Sequence, residues 1–213
     1  MKIYRLVLTI TATLTFSLFA AHFPVASQEE MRWAFEKDAH GRLPAGFSAA
    51  VGEWKVVPSG EAQGNVLAQT FRNAGPVYNV ALVDATRYAD LELSVKLMAI
   101  GGEVDQGGGV VWRAADAENY YIARHNPLEE NFCVYKVVGG RRTQLHTASV
   151  SRSPGWHVLR VTMRGDAIEC FLDGRKYLEA KDSTLAGPGK IGLWSKADAQ
   201  TWFDDLTVKP LAK

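Results

Sequence analysis

The acidic residues closest to a catalytic spacing are Glu36 and Asp38, which stand on either side of Lys37. On a strand, a period of two would point both carboxylates into one cleft, the arrangement that hydrolysis of a glycosidic bond requires. Known glycoside hydrolases with this spacing have a third acid three residues after the second, whereas this chain has Gly41 there. Glycoside hydrolysis by these residues is therefore rejected.

Aromatic and planar polar side chains form a second group, with the chemistry of sugar binding. A pyranose places its apolar side on a flat aromatic ring, and its hydroxyl groups bond to planar polar groups. Both kinds are supplied by Trp112, Arg113, Tyr120, Tyr121, Tyr135, Trp194 and Lys196. An all-β core also needs aromatic residues, so roughly half or more of these should serve packing.

Alternation decides which of these side chains face away from the core. Trp194 and Lys196 project together onto the face opposite to Ile191 and Leu193. Adding the polar residues near strand ends gives the preferred sugar contacts, which are Arg113, Arg124, His125, Trp194 and Lys196.

Nucleophilic catalysis has little support. There is no Gly-x-Ser-x-Gly elbow, and His40, His125, His146 and His157 lie in different segments. His125 is the most informative of them, because it ends a strand together with Arg124, beside a turn at Asn126. A solvated strand edge and a ligand contact remain equal interpretations of this group.

Residues 1–27 have the pattern of a secretory signal peptide. Lys2 and Arg5 precede an apolar run from Leu6 to Ala21, and small residues follow. The run is short and rich in Thr for a membrane span, so an uncleaved anchor is the alternative. We expect a secreted or periplasmic protein without stable membrane insertion after cleavage.

Charge excludes a further class of partner. Removing Lys2 and Arg5 leaves 22 basic residues, from 24, against 23 acidic ones, a net charge of −1. Binding to nucleic acid depends on clustered Lys and Arg, which this chain lacks, so no nucleic-acid partner is expected.

Two cysteines, Cys133 and Cys170, fall in the middle of predicted strands. Export permits a disulfide, but a small buried hydrophobic side chain is the commoner role at such positions. The sequence leaves the choice open.

Strand patterns account for the whole exported part. Leu91, Leu93, Val95 and Leu97 alternate with polar residues, as in a half-buried strand. Strands are predicted at 51–57, 66–72, 77–83, 89–98, 110–114, 120–125, 132–138, 156–163, 168–172, 191–196 and 202–208, separated by Gly- and Pro-bearing turns. One all-β domain over residues 28–213, an antiparallel β-sandwich, is the simplest interpretation.

The segments GGGVVWRAADAENYYIARHNP, FCVYKVVGGRRTQL, GWHVLRVTMRGDAIECFLDGRKYLEAKD and GKIGLWSKADAQTWFDDLTV occur in this order. Together they resemble the concanavalin A-like lectin/glucanase superfamily, especially laminin-G-like modules. The resemblance implies a jelly-roll sandwich. The chain is also similar to 3-keto-disaccharide hydrolases, which usually have Asn-Ser-Gly where this chain has Gly107, Gly108 and Gly109.

The resemblance also implies a structural ion. Related sandwiches often hold Ca²⁺ between the last strand and the first, and Glu36, Asp38 and Asp205 offer the hard oxygen ligands that calcium prefers. A solvated turn containing Asp204 and Asp205 is the alternative. No other cofactor is expected.

These observations predict an exported jelly-roll protein that binds an oligo- or polysaccharide without catalysis. A 3-keto-glycoside or glycoside hydrolase is the first alternative, and a protein-interaction module at the cell surface is the second. A groove with converging carboxylates would favour the enzyme, aromatic rings in that groove would favour the lectin, and an exposed apolar patch would favour the interaction module.

Overall fold

The computed structural model describes residues 29–60 and 64–212, and every helix or strand within them is a β-strand. The strands are β1 Met31–Trp33, β2 Phe47–Val51, β3 Trp54–Pro58, β4 Asn65–Gln69, β5 Tyr78–Val83, β6 Leu91–Gly101, β7 Gly108–Ala114, β8 Tyr120–Asn126, β9 Asn131–Val138, β10 Arg141–Ser149, β11 His157–Arg164, β12 Ala167–Leu172, β13 Arg175–Lys181, β14 Lys190–Lys196 and β15 Gln200–Pro210. In these two ranges there is accordingly no helix with the length and apolar character to cross a membrane. The predicted signal peptide, residues 1–27, lies outside the described residues.

Two antiparallel sheets make up the fold. The eight-stranded sheet has the order β13-β12-β11-β6-β15-β4-β3, with β1 also paired to β15, and the seven-stranded sheet has the order β10-β9-β8-β7-β14-β5-β2. Neighbours in the seven-stranded sheet come from distant parts of the chain, since β14 lies between β7 and β5. The predicted all-β sandwich is confirmed.

The main core lies between the two sheets. Leu93 and Val95 of β6 and Val161 of β11 face it from the eight-stranded sheet, while Trp112 and Tyr121 face it from the seven-stranded sheet. All five are fully buried, and the indole Nε1–H of Trp112 points at the sulfur of Met163 across the core, at 3.4 Å. The period-two patterns of β6, β11 and β12 therefore identified the inward side chains correctly.

A second apolar cluster involves the seven-stranded sheet alone and occupies its other face. Its members alternate with residues of the main core along the same strands: Val80, Leu82, Val111, Ala114, Tyr120, Ile122, Cys133, Tyr135, Val137 and Trp194. None is more than 5 % exposed. We call this set the outer cluster. Its existence explains why β7 and β8 are buried at every position, a pattern typical of strands with two covered faces.

Each strand predicted from alternation overlaps a strand of the structure, but β1, β2, β10 and β13 were not assigned from pattern. β10 and β13 are the outermost strands of their sheets, and most of their side chains are exposed or half-buried. When both faces of an edge strand are exposed to water, buried and exposed residues do not alternate along it, so the sequence gives no period-two pattern.

Both cysteines are free and buried, so the structure has no disulfide between them. Cys133 belongs to the outer cluster of one sheet, and Cys170 belongs to the main core beneath the other. They act as small packing residues, and the Cys133 Sγ also lies 3.1 Å from the Thr147 Oγ1.

Gly109 gives a direct test of the close approach between β7 and β8. A Cβ added there would collide with the backbone carbonyl of Ala123 on β8, and a backbone atom cannot rotate away. We expect Gly109→Ala to lower the free energy of unfolding by about 2 kcal/mol or more, because overpacking typically costs ~1–3 kcal/mol. Denaturant unfolding followed by tryptophan fluorescence measures the change.

Gly187→Ala is the matched control, because a Cβ at Gly187 meets nothing within 4 Å and Gly187 has no positive φ. Equal stability of the two variants would contradict the close approach of β7 and β8.

Candidate functional site

Three aromatic rings on the outer cluster lie under one arginine. The guanidinium of Arg142 lies 4.4 Å from the ring centre of Tyr135, 5.4 Å from that of Tyr78 and 5.9 Å from that of Trp194. Tyr78 and Trp194 pack together with centroids 5.5 Å apart. The Trp194 Nε1–H donates to the Tyr120 hydroxyl at 3.1 Å. The planes of the Tyr78 and Trp194 rings are tilted by 37° relative to each other, and together with Tyr135 they make an aromatic floor over which the cation lies.

The position of Arg142 shows that this face is concave. Arg142 belongs to the edge strand β10 and Tyr78 belongs to β5, with β9, β8, β7 and β14 between them in the sheet. On a flat sheet five strand spacings span about 24 Å, which two side chains cannot bridge to a 5.4 Å contact. The sheet therefore curls so that its edge approaches its own centre.

Charged residues close one end of this face. Arg124 donates to the Glu129 carboxylate at 2.7 Å, and its guanidinium lies 5.9 Å from the Tyr135 ring. The Lys196 ammonium donates to the Asp105 carboxylate at 2.9 Å, and Asp105 is only 1 % exposed. Arg124, Arg142, Lys196, Tyr78, Tyr135 and Trp194 together are called the outer-face site.

The sheet register explains why these groups meet. Trp194 on β14 pairs with Gly109 on β7, and Gly109 pairs in turn with Arg124 on β8. Gly109, which has no side chain, therefore separates the tryptophan from the arginine in this row. Lys196 pairs with Tyr78 in the adjacent row.

Three guanidinium nitrogen atoms of the site, which belong to two arginines, are buried without hydrogen-bond partners. The Nε and Nη1 atoms of Arg124 and the Nη1 atom of Arg142 have none. The Arg124 Nη1 lies 3.9 Å from an Asp105 oxygen, beyond hydrogen-bond distance. Buried polar groups in proteins are almost always satisfied, so an unsatisfied pair of arginines on one face marks a place for acceptor atoms from outside the chain.

Carboxylates at the site are held by cations. Burial alone would raise the pKa of Glu129, but hydrogen bonds from Arg124 and Asn131 outweigh it and leave the pKa lowered. Asp105 accepts from Lys196 and from the Asn126 amide, at 2.9 and 2.8 Å. A general acid needs a raised pKa, and Glu129 has the opposite shift.

Of the five sugar contacts predicted from sequence, Arg124, Lys196 and Trp194 are brought together on this face. Trp194 and Lys196 share a side, as alternation predicted, although Trp194 is only 1 % exposed and has a packing role as well. Arg113 and His125 lie elsewhere. Contact of any of the five with a sugar stays a prediction.

Arg113 leaves the alternation at a bulge. Its φ is +47°, and the register between β7 and β14 shifts beside it. Its side chain donates to the backbone carbonyls of Ala89, Gly165 and Leu185 at 2.7, 2.8 and 3.0 Å. Arg113 thus joins three separate segments, a structural task that occupies its donors.

His125 points to the inner side of the sheet, away from its neighbour Arg124. It lines a cavity of about 120 Å³ that is also bounded by Gln106, Arg152 and His157. The rings of His125 and His157 are 4.9 Å apart, edge to face, and the His125 Nε2 has no hydrogen-bond partner. Burial, the nearby His157 and Arg124 lower the pKa of His125 to about 4, with Asp173 acting in the opposite direction.

The three residues predicted to bind calcium are Glu36, Asp38 and Asp205. β1 does pair with β15, as that prediction requires. However, the Asp205 carboxylate is paired with Arg32 and, at 2.7 Å, with Lys96, and residues 29–60 and 64–212 contain no group of three metal-ligating side chains. Calcium binding stays a prediction.

Sequence reasoning missed Arg142, Tyr78 and the acids Asp105 and Glu129. Arg142 follows the turn Gly139-Gly140 on the unassigned edge strand β10. Tyr78 stands two residues before Val80, which is the spacing of one strand face, and this signal could have found it.

The pKa of His125 predicts a pH dependence of stability. Its folded-state pKa of about 4 lies below the ordinary value of 6.5, so the unfolded chain binds the proton more readily between these values. The stabilisation is complete above pH 6.5 and is lost as the pH falls toward 4, by up to about 3 kcal/mol. We expect His125→Gln to abolish this part of the slope.

Denaturant unfolding of both proteins between about pH 4 and pH 7 measures the difference. Carboxylates titrate equally in the two proteins and cancel in the comparison. Parallel stability curves would contradict the assignment of a buried, neutral His125.

Comparison with protein-family models and with curated protein sequences gives no match. Solved structures do match. The carbohydrate-binding module CBM66 from Bacillus subtilis is similar with a TM-score of 0.65 and 20% identity, over 77% of this chain and 95% of that chain. The Crh5 transglycosylase in its apo form gives a TM-score of 0.58 and 10% identity, over 87% and 86%.

A carbohydrate esterase from the Shiga toxin-encoding bacteriophage phi24B is also similar, with a TM-score of 0.56 and 16% identity, over 85% of this chain and 98% of that chain. Identities this low establish the fold alone. The chain therefore has a jelly-roll β-sandwich fold similar to the folds of these structures.

Proposed function

We propose that this chain is an exported, non-catalytic protein that binds carbohydrate at the outer-face site. The proposal depends above all on one observation: Arg142 and Arg124 offer unsatisfied N–H groups beside the rings of Tyr135, Tyr78 and Trp194. The half-buried ring of Tyr78, which can take the apolar side of a sugar, and donors that can take its oxygen atoms occur together on one concave face.

The proteins of similar structure support the proposal, since they are a carbohydrate-binding module, a transglycosylase and a carbohydrate esterase. Binding without catalysis is favoured over hydrolysis because Glu129 and Asp105 are both held by cations. A retaining hydrolase would need one carboxyl group with a raised pKa as proton donor.

Trp194 is a poor probe of this function. It is 1 % exposed, and removing so large a buried ring typically costs ~3–5 kcal/mol of stability. Loss of binding in Trp194→Ala would therefore mix unfolding with recognition. Arg142 and Tyr78 are half-buried and give cleaner variants.

The purified protein should bind at least one soluble polysaccharide in affinity electrophoresis, and Arg142→Ala should weaken that binding by about tenfold or more. The reason is the loss of a hydrogen bond from a charged donor, which is worth ~1.5–3 kcal/mol. Tyr78→Ala should weaken binding as well, through the loss of a ring from the aromatic floor.

Arg160→Ala is the matched control. The Arg160 guanidinium also stacks on an aromatic ring, lying 3.7 Å from the ring centre of Phe171, but it belongs to the eight-stranded sheet. Binding by Arg160→Ala should equal that of the unmodified chain. Equal losses in both arginine variants would contradict the site, and cleavage of a chromogenic 3-keto-glycoside without binding would replace the proposal by hydrolysis.

A further inference from the structure

The outer-face site has more positive charge than it neutralises. Arg124 is paired with Glu129 at 2.7 Å and Lys196 with Asp105 at 2.9 Å. Arg142 forms no ion pair with any carboxylate in residues 29–60 and 64–212. Three cations therefore face two anions, with the excess at Arg142.

Cations without an acid also occur on the eight-stranded sheet. Arg175 on β13 lies 4.8 Å from the ring centre of Tyr177 and forms no ion pair with a described residue. Arg175 is exposed to water, whereas Arg142 is half-buried and has a buried Nη1 atom without a hydrogen-bond partner. Burial beside the aromatic rings therefore distinguishes the unmatched arginine of the outer-face site.

The two arginines also share one ring. Their guanidinium carbons lie 4.4 Å and 5.9 Å from the ring centre of Tyr135, so two like charges are gathered around a single tyrosine. Arg124 is only 2 % exposed, and the Arg124 Nε and Nη1 atoms and the Arg142 Nη1 atom have no hydrogen-bond partner. An anion in contact with both guanidinium groups would accept hydrogen bonds from these N–H groups and balance the charge of Arg142.

We infer that the outer-face site takes an anionic saccharide, one whose sugar units bear carboxylate or sulfate groups, with Arg142 and Arg124 receiving the anion. This inference rests on the proposed function and names its ligand class. The guanidinium group suits both anions, because it presents fixed, charged N–H donors that carboxylate and sulfate oxygens accept. The neutral part of the sugar would then lie on the half-buried ring of Tyr78.

Matched polysaccharides test the inference. Polygalacturonate is compared with its fully methyl-esterified form, and dextran sulfate with dextran, by affinity electrophoresis at low salt and at high salt. We expect the charged member of one pair to bind about tenfold tighter or more than the neutral member, with the advantage reduced by salt. The pair that shows the advantage identifies carboxylate or sulfate as the anion.

Arg142→Gln and Arg160→Gln remove the same charge from different sheets and so separate recognition from general attraction. Arg142→Lys keeps the charge but changes the donor geometry. Arg142→Gln should abolish the preference for the charged polysaccharide, Arg142→Lys should keep part of it, and Arg160→Gln on the other sheet should keep all of it. Thermal unfolding of each variant shows that it is folded. An equal loss in Arg160→Gln would overturn the inference.

The other outcomes are equally clear. Equal binding of charged and neutral members would overturn the anionic ligand while leaving sugar binding intact. Binding of no polysaccharide by the unmodified chain would overturn the proposed function together with the inference.

Discussion

The seven-stranded sheet has to accommodate apolar side chains on both of its faces, and most features of the molecule follow from this constraint. Its inner face packs against the eight-stranded sheet, as in any sandwich. No second sheet covers its outer face in the described part of the chain, yet Trp194, Tyr120 and Val111 on that face are buried. Curling of the sheet brings Arg142 from the edge over the rings of Tyr135, Tyr78 and Trp194. The same curl that covers apolar surface therefore creates the concave site.

Arginine has two different roles in this sandwich, and the difference lies in what its donors meet. Arg113 is buried, and its guanidinium is engaged by three backbone carbonyls and by Asp90, which leaves it a structural joint. Arg124 is as deeply buried, but its Nε and Nη1 atoms have no hydrogen-bond partner. A buried cation with unused donors is costly in isolation. That cost is understandable where the donors serve a ligand.

The sequence allowed the fold to be predicted well, because burial in strands repeats every two residues and the centres of both sheets follow this rule. Leu91 to Leu97 and Ile168 to Leu172 were assigned to the correct face for this reason. Local pattern failed where tertiary structure decides. Arg113 was predicted to contact a sugar, but a bulge places its side chain among the backbone carbonyls of three other segments. Arg142 was missed because an edge strand has no buried face to give a period, and its partners lie up to five strands away.

The edge position of Arg142 also bears on how the site moves. β10 is hydrogen-bonded to β9 alone and has a register shift between Gln144 and His146. A strand held on one side opens at a lower free energy than strands in the middle of a sheet, so its amide protons exchange sooner. If a ligand binds through Arg142, its binding favours the conformation in which β10 is paired with β9. Slower exchange of the amide protons of β10 would then reveal a bound molecule that bears no label.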